Sequence, residues 1–175
     1  MHEISAAPVV VPLAALAFAL LLWRLHRNGT LTPLRALVAL VATVYAAGLI
    51  ANTLLPIYVG GVAYPAPWRL FVNLTPLANT ERADMAKNVV LFAPLGLLIP
   101  LVTRLRAALP VVLSGLLVSV AMELLQLLNA VKWHGGHIAD VNDVLSDTLG
   151  VILGYAVYRL LLLVPVTRRL AEAAG

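Results

Sequence analysis

A chain of 175 residues that is 62% hydrophobic and only 11% charged excludes an ordinary soluble domain, in which about a quarter of residues are charged. It has no cysteine, which excludes a disulfide framework and thiolate chemistry. Its net charge of +4 comes from basic residues scattered at the ends of apolar runs, which excludes a nucleic-acid surface and is how a membrane protein fixes its orientation.

A membrane span needs roughly 20 predominantly apolar residues. The first candidate is Ile4 to Trp23, with Arg24 and Arg27 after it rather than before it. A cleaved signal peptide carries its positive charge first, so this segment reads as a retained anchor. Asn28 to Pro33 forms a turn and a helix start. The second span runs from about Pro33 to Leu55, closed by Pro56. From Ile57 to Lys87 the Gly, Pro and aromatic residues predict a loop with a short amphipathic piece in the interfacial belt. The third span, Asn88 to Thr103, is short and is expected to be interrupted by Pro94, Gly96 and Pro100. The fourth is Leu109 to Leu128 and the fifth about Val141 to Val164, followed by a basic tail with Arg168 and Arg169. The expected fold is all-α, a polytopic transmembrane helical bundle of about five spans. Its expected parts are an N-terminal anchor and loop over residues 1–32, a transmembrane domain over 33–164 and a short basic tail over 165–175.

An odd number of spans puts the two ends on opposite sides. Arg24, Arg27, Arg35, Arg104, Arg106, Arg159, Arg168 and Arg169 then share one face, and Arg69, Arg82, Lys87 and Lys132 share the other. Eight against four predicts a cytoplasmic C-terminus and an outside N-terminus in the inner (plasma) membrane. With this topology the unusual polar residues gather at the outer face. Ser119, Glu123 and Gln126 recur at i, i+4, i+7 on the fourth helix, with Glu123 roughly 7.5 Å deep at about 1.5 Å per residue. Asp140, Asp143 and Asp147 recur at i, i+3, i+7 on the fifth, and Asn88 opens the third. A carboxylate at mid-bilayer costs roughly 2.5–3.5 kcal/mol on insertion scales, so both acidic faces are expected to point inward around a polar pocket. Asp140 and Asp143 could also serve simply as helix caps. Gly150 and Gly154 form a small-xxx-small pair for close helix packing.

Three ordered blocks, "NVVLFAPLG" from Asn88, "SVAMELLQ" from Ser119 and "HIADVNDVLSDTLG" from His137, resemble the VanZ-like family of bacterial membrane proteins. "TLLP" from Thr53 and "NLTPL" from Asn73 fit its early segments, and the resemblance covers roughly Tyr45 to Tyr155. The family is associated with lowered sensitivity to teicoplanin, without an established reaction. The resemblance implies a cell-envelope role and carries Asn88, Phe92, Pro94, Gly96, Ser119, Glu123, Gln126, Asp140, Asp143 and Gly150 as motif residues. His137 stands where the family commonly has arginine and Asp147 where asparagine is common, which makes this site more acidic.

The expected ligand contacts are Asn88, Phe92, Ser119, Glu123, Gln126, Asp140, Asp143 and Asp147. The expected partner, besides the bilayer, is a lipid-linked cell-wall precursor or an acylated glycopeptide, with a homo-oligomer possible. An alternative is a hydrolase or transferase in which Glu123, Asp140, Asp143 or His137 holds a metal that activates water against a lipid phosphate or ester. A third reading is an ion- or proton-coupled transporter, although no inverted repeat is evident. No Gly-rich phosphate loop, Ser-His-Asp order or helical H-E-x-x-H occurs, no nucleophile is identified, and no cofactor follows from the sequence.

Overall fold

The computed structural model describes residues 2–55, 57–59, 67–77, 81–133 and 138–174. Among them lie five helices long and apolar enough to cross a membrane: α1 (Ala6–Arg27), α2 (Pro33–Leu54), α3 (Arg82–Val102), α4 (Ala108–Trp133) and α5 (Val141–Leu161). A sixth, α6 (Pro165–Ala174), occupies the expected basic tail. Strand content is minimal. β1 (His2–Ile4) pairs antiparallel with β2 (Ile57–Val59), and β3 (Val72–Asn73) pairs in parallel with β4 (Ala139–Asp140). A 3-10 turn, Trp68–Phe71, precedes β3 and stands where the amphipathic surface piece was expected.

Local chemistry sets several boundaries. Thr32 caps α2, its hydroxyl accepting from the Arg35 N–H at 3.2 Å, with Pro33 at the first helical position. Asp140 caps α5 in the same way, accepting from the Asn142 N–H at 2.8 Å. The third span differs from its expected form in two respects. It starts at Arg82 rather than Asn88, because its charged first turns extend the helix beyond the apolar stretch. It also continues through Pro94 and Pro100 without interruption. A proline in a spanning helix removes one backbone donor, and close packing against other helices tolerates that loss.

The seam between α3 and α5 is the most extensive contact in the bundle. The two helices run parallel: Gly150 meets Val89, and Gly154 meets Ala93. A Cβ on Gly154 would lie 1.8 Å from the Ala93 carbonyl oxygen, and one on Gly96 would lie 2.0 Å from that of Val151. Glycine is required here because two backbones occupy the space of a side chain. Helix α4 runs antiparallel to α5, and the Cβ position of Gly115 falls against the Val151 side chain. The core therefore centres on Phe92, Val111 and Val151, all essentially inaccessible, with Tyr155 and Tyr158 completing it toward the far end. Helix α2 joins through Tyr45, whose hydroxyl donates to the Leu91 carbonyl at 2.8 Å. Helix α1 packs chiefly on α2 and is the least buried span, while α5 is the most buried.

These directions alternate α1 to α5 across the bundle. They place the N-termini of α3 and α5 and the C-termini of α2 and α4 at one end. Arg24, Arg35 and Arg104 lie at the other end, beside the C-terminal end of α6.

Candidate functional site

The polar site is built around the first turn of α5. Asp140 is its N-cap. The Asp140 Oδ1 accepts from the Asn142 N–H and from Asn142 Nδ2, both at 2.8 Å, and its Oδ2 accepts from Asn73 Nδ2 at 3.0 Å. Asn142 is fully buried and ties a distant segment to the helix. Its Oδ1 accepts from the Leu77 N–H at 2.5 Å, and its Nδ2 donates to the Thr75 carbonyl at 3.3 Å. The segment is pre-shaped: Asn73 Oδ1 accepts from the Thr75 N–H at 3.1 Å in an Asx turn. Leu77 takes a φ of +59°, a strained choice for a branched side chain, held by the bond to Asn142. The residues 72–77 thus form a latch over the start of α5, and the parallel pairing of β3 with β4 completes it.

Beneath this latch three helices bring carboxylates and their partners together. From α4, Glu123 Oε2 accepts the Asp140 N–H at 2.8 Å, so it caps a strand residue across the helix interface. One turn deeper, Ser119 Oγ donates to Asp147 Oδ2 at 2.7 Å, with Ser119 wholly buried and Asp147 4% exposed. The other oxygen, Asp147 Oδ1, is buried with no hydrogen-bond partner among the described residues. Asp143, half-buried on the same helix, lies near Asn88 and Asp84 of α3. Glu123 in turn lies within electrostatic range of Asp140, Asp143 and Asp147. The ion pairs found among the described residues, Lys87–Asp84 at 2.6 Å and Arg168–Glu172 at 2.9 Å, involve none of Glu123, Asp143 and Asp147.

Of the expected contacts, Asn88, Ser119, Glu123, Asp140, Asp143 and Asp147 meet at one end of the bundle. Two others lie apart. Phe92 is 1% exposed in the core between α3 and α5, where it packs. Gln126 turns toward α2 and donates to the Thr53 carbonyl at 2.8 Å, closing the C-terminal end of that helix. His137 lies outside the described residues. It is the fourth candidate metal ligand beside Asp140, Asp143 and Glu123, and among the described residues no three His, Cys, Asp or Glu side chains are grouped as a metal site. The Asp140 carboxylate is turned toward Asn73 and Asn142, and Glu123 reaches the Asp140 backbone. Asn73, Thr75 and Asn142 were not expected in the site. Asn73 and Thr75 lie in "NLTPL" and Asn142 in "HIADVNDVLSDTLG", but nothing in either block shows that the two segments meet.

The arrangement can do one thing well. Carboxylates accept hydrogen bonds from hydroxyl, amide and ammonium groups, and they repel phosphate. Serine and asparagine fix their orientation, and burial makes each contact stronger than it would be in water.

A family model described as VanZ/LLP1 matches residues 38–162 of the chain. A curated relative, Protein VanZ of Enterococcus faecium, is 32% identical over 90 residues, which are 51% of this chain and 53% of that protein. The chain therefore spans about half the length of the curated relative it matches. No solved structure matches it.

Proposed function

The chain belongs to the VanZ/LLP1 family, and on that premise we propose that its carboxylate cluster receives the polar head of an envelope amphiphile, a lipid-linked cell-wall precursor or an acylated glycopeptide. The protein is a multi-pass membrane protein, and the matched region takes in four of its five apolar helices. The cluster faces the outer leaflet in this reading. The uneven arginine and lysine distribution supports that orientation, with the N-terminus outside and the C-terminus cytoplasmic in the inner (plasma) membrane.

The observation that carries the reading is Asp147 Oδ1. It is a buried acceptor without a donor among the described residues, beside Asp143 and Glu123, in a span where an unsatisfied polar atom is costly. Its neighbours are held in place, because Ser119 fixes the other Asp147 oxygen and the Asp140 N–H fixes Glu123. A donor-rich head group satisfies such an acceptor: a sugar hydroxyl, a stem-peptide amide or an amine. The phosphate of a lipid-linked precursor stays outside the acidic cluster, on the side of Lys87. Asp143 and Asp147 make the principal contacts, Glu123 and Ser119 position α4 against them, and Asn88 orients Asp143.

The test is mass spectrometry of the lipids that co-purify with the protein from gently solubilised membranes. The wild type should retain a glycosylated or peptidyl amphiphile above the level in bulk lipid. Asp143→Asn combined with Asp147→Asn should lose it while its helical content is unchanged. Equal retention by the double variant, or a wild type that carries only bulk phospholipid, would count against the reading.

A further inference from the structure

A second amphiphile-shaped site runs along α1 from near its N-terminus to the opposite end of the bundle. Helix α1 packs chiefly on α2, so a groove opens between α1 and α3 with α2 at its back. It has a volume of about 570 Å³ and is lined by Val10, Leu13, Ala17, Tyr45, Leu98 and Val102 among others, almost all apolar. From Val9 to Leu21 its α1 wall is about 18 Å long at 1.5 Å per residue, close to the ~15 Å depth of one leaflet. At its lower end the groove runs into a larger cavity of about 1000 Å³, with Leu21, Val102 and Thr103 lining both. Arg24, Arg35 and Arg104 line this cavity, and no carboxylate does among the described residues.

The three arginines come from three separate places, the end of α1, the start of α2 and the turn after α3. Arg35 is held at the rim: its Nε donates to the Ala173 carbonyl at 3.1 Å and its Nη1 to the Thr30 carbonyl at 3.2 Å. These bonds anchor the end of α6 beside the cavity and fix the Arg35 charge. Arg24 and Arg104 are exposed there. An apolar slot about 18 Å long that opens beside Arg24 and Arg104, with Arg35 bonded at the rim, has the shape and charge of one phospholipid.

We propose that the α1–α3 groove and the Arg24–Arg35–Arg104 cavity together bind one anionic phospholipid, with an acyl chain in the groove and the phosphate among the arginines. The site depends on nothing in the carboxylate cluster. Zwitterionic lipid meets the same groove, but its own cation opposes Arg24 and Arg104.

The experiment measures thermal unfolding of the full chain in detergent while dioleoyl phosphatidylglycerol, dioleoyl phosphatidylcholine or inorganic phosphate is titrated in. Phosphatidylglycerol should stabilise saturably with a midpoint at least 10-fold below that of phosphatidylcholine, and inorganic phosphate should give no comparable shift. Arg24→Gln with Arg104→Gln should raise the phosphatidylglycerol midpoint about 30-fold, the equivalent of ~1 kcal/mol for each interfacial cation removed. Ala17→Phe, which fills the groove wall and leaves the arginines intact, should abolish saturable binding. It also decides the matter if the arginine variant does not fold. Equal midpoints for the two lipids, or wild-type binding by the Ala17→Phe variant, would overturn the proposal. An equal shift with phosphate alone would leave a phosphate site and no lipid. A mass in solution that halves on Ala17→Phe would assign the groove to a second copy of the chain.

Discussion

Gly154→Ala should be far more damaging than its single methyl group suggests. The added Cβ would stand 1.8 Å from the Ala93 carbonyl oxygen and 2.8 Å from its carbon, about 1.6 Å short of ordinary contact. Every atom it meets first belongs to the backbone of α3, so no rotamer change relieves it. Helix α3 must move outward, which loosens Phe92 against Val151 along the same seam. Overpacking costs roughly 1–3 kcal/mol, and a backbone clash belongs at the upper end. Replacing glycine within a helix returns about 1 kcal/mol of propensity. The net loss is therefore about 2 kcal/mol, or roughly 30-fold in the folding equilibrium. Gly48→Ala supplies the internal control: nothing lies within 4 Å of its Cβ position, so only the propensity gain of about 1 kcal/mol applies. Reversible unfolding in mixed micelles, followed by circular dichroism, should separate the two variants by about 3 kcal/mol. A Gly154→Ala protein as stable as Gly48→Ala would refute the parallel α3–α5 seam.

Other changes probe the latch and the carboxylates. Asn142→Leu removes the acceptor for the Leu77 N–H and the donor for the Thr75 carbonyl, at about 1–3 kcal/mol for each group left unpaired; limited proteolysis should then cut residues 72–77 faster than in the wild type. Glu123→Gln keeps an oxygen for the Asp140 N–H and should unfold within about 1 kcal/mol of the wild type, whereas Glu123→Leu should lose roughly 1–3 kcal/mol in the same micelle titration. Arg35→Gln releases the Ala173 carbonyl, and amide exchange across Pro165–Ala174 should accelerate severalfold while α2 and α3 are unaffected.

Much of this was legible in the chain itself. Long apolar runs with arginines at their ends specify spans, and Ser119 and Glu123 on one helix face with Asp140 and Asp147 on another could only be accommodated facing each other. The small residues Gly150 and Gly154 announced a close approach, and the structure assigns it to α3. The latch was not legible, because the Asn142 side chain meets Leu77 across 65 residues through the Leu77 backbone N–H, which no side-chain pattern reports. Asn142 itself, two places into a helix, resembles any solvent-facing polar residue. The start of α3 was hidden by Arg82, Asp84 and Lys87, charges that a helix can carry once it has left the apolar layer. Pro94 and Pro100 read as breaks because the packing that accommodates them is tertiary. The three-arginine cavity was equally invisible, since residues 24, 35 and 104 signalled orientation and nothing placed them together.

The central claim is that Asp143 and Asp147, steadied by Asn88 and Ser119, receive a polar head group beneath one membrane face. Its most direct test is an equilibrium titration of a purified lipid-linked disaccharide-peptide precursor against the full chain in nanodiscs, wild type beside Asp143→Asn with Asp147→Asn. An asparagine at 147 still offers an oxygen to Ser119, so the fold should persist. Saturable binding that weakens at least 10-fold in the double variant is the expected result; identical affinities in the two proteins would contradict it.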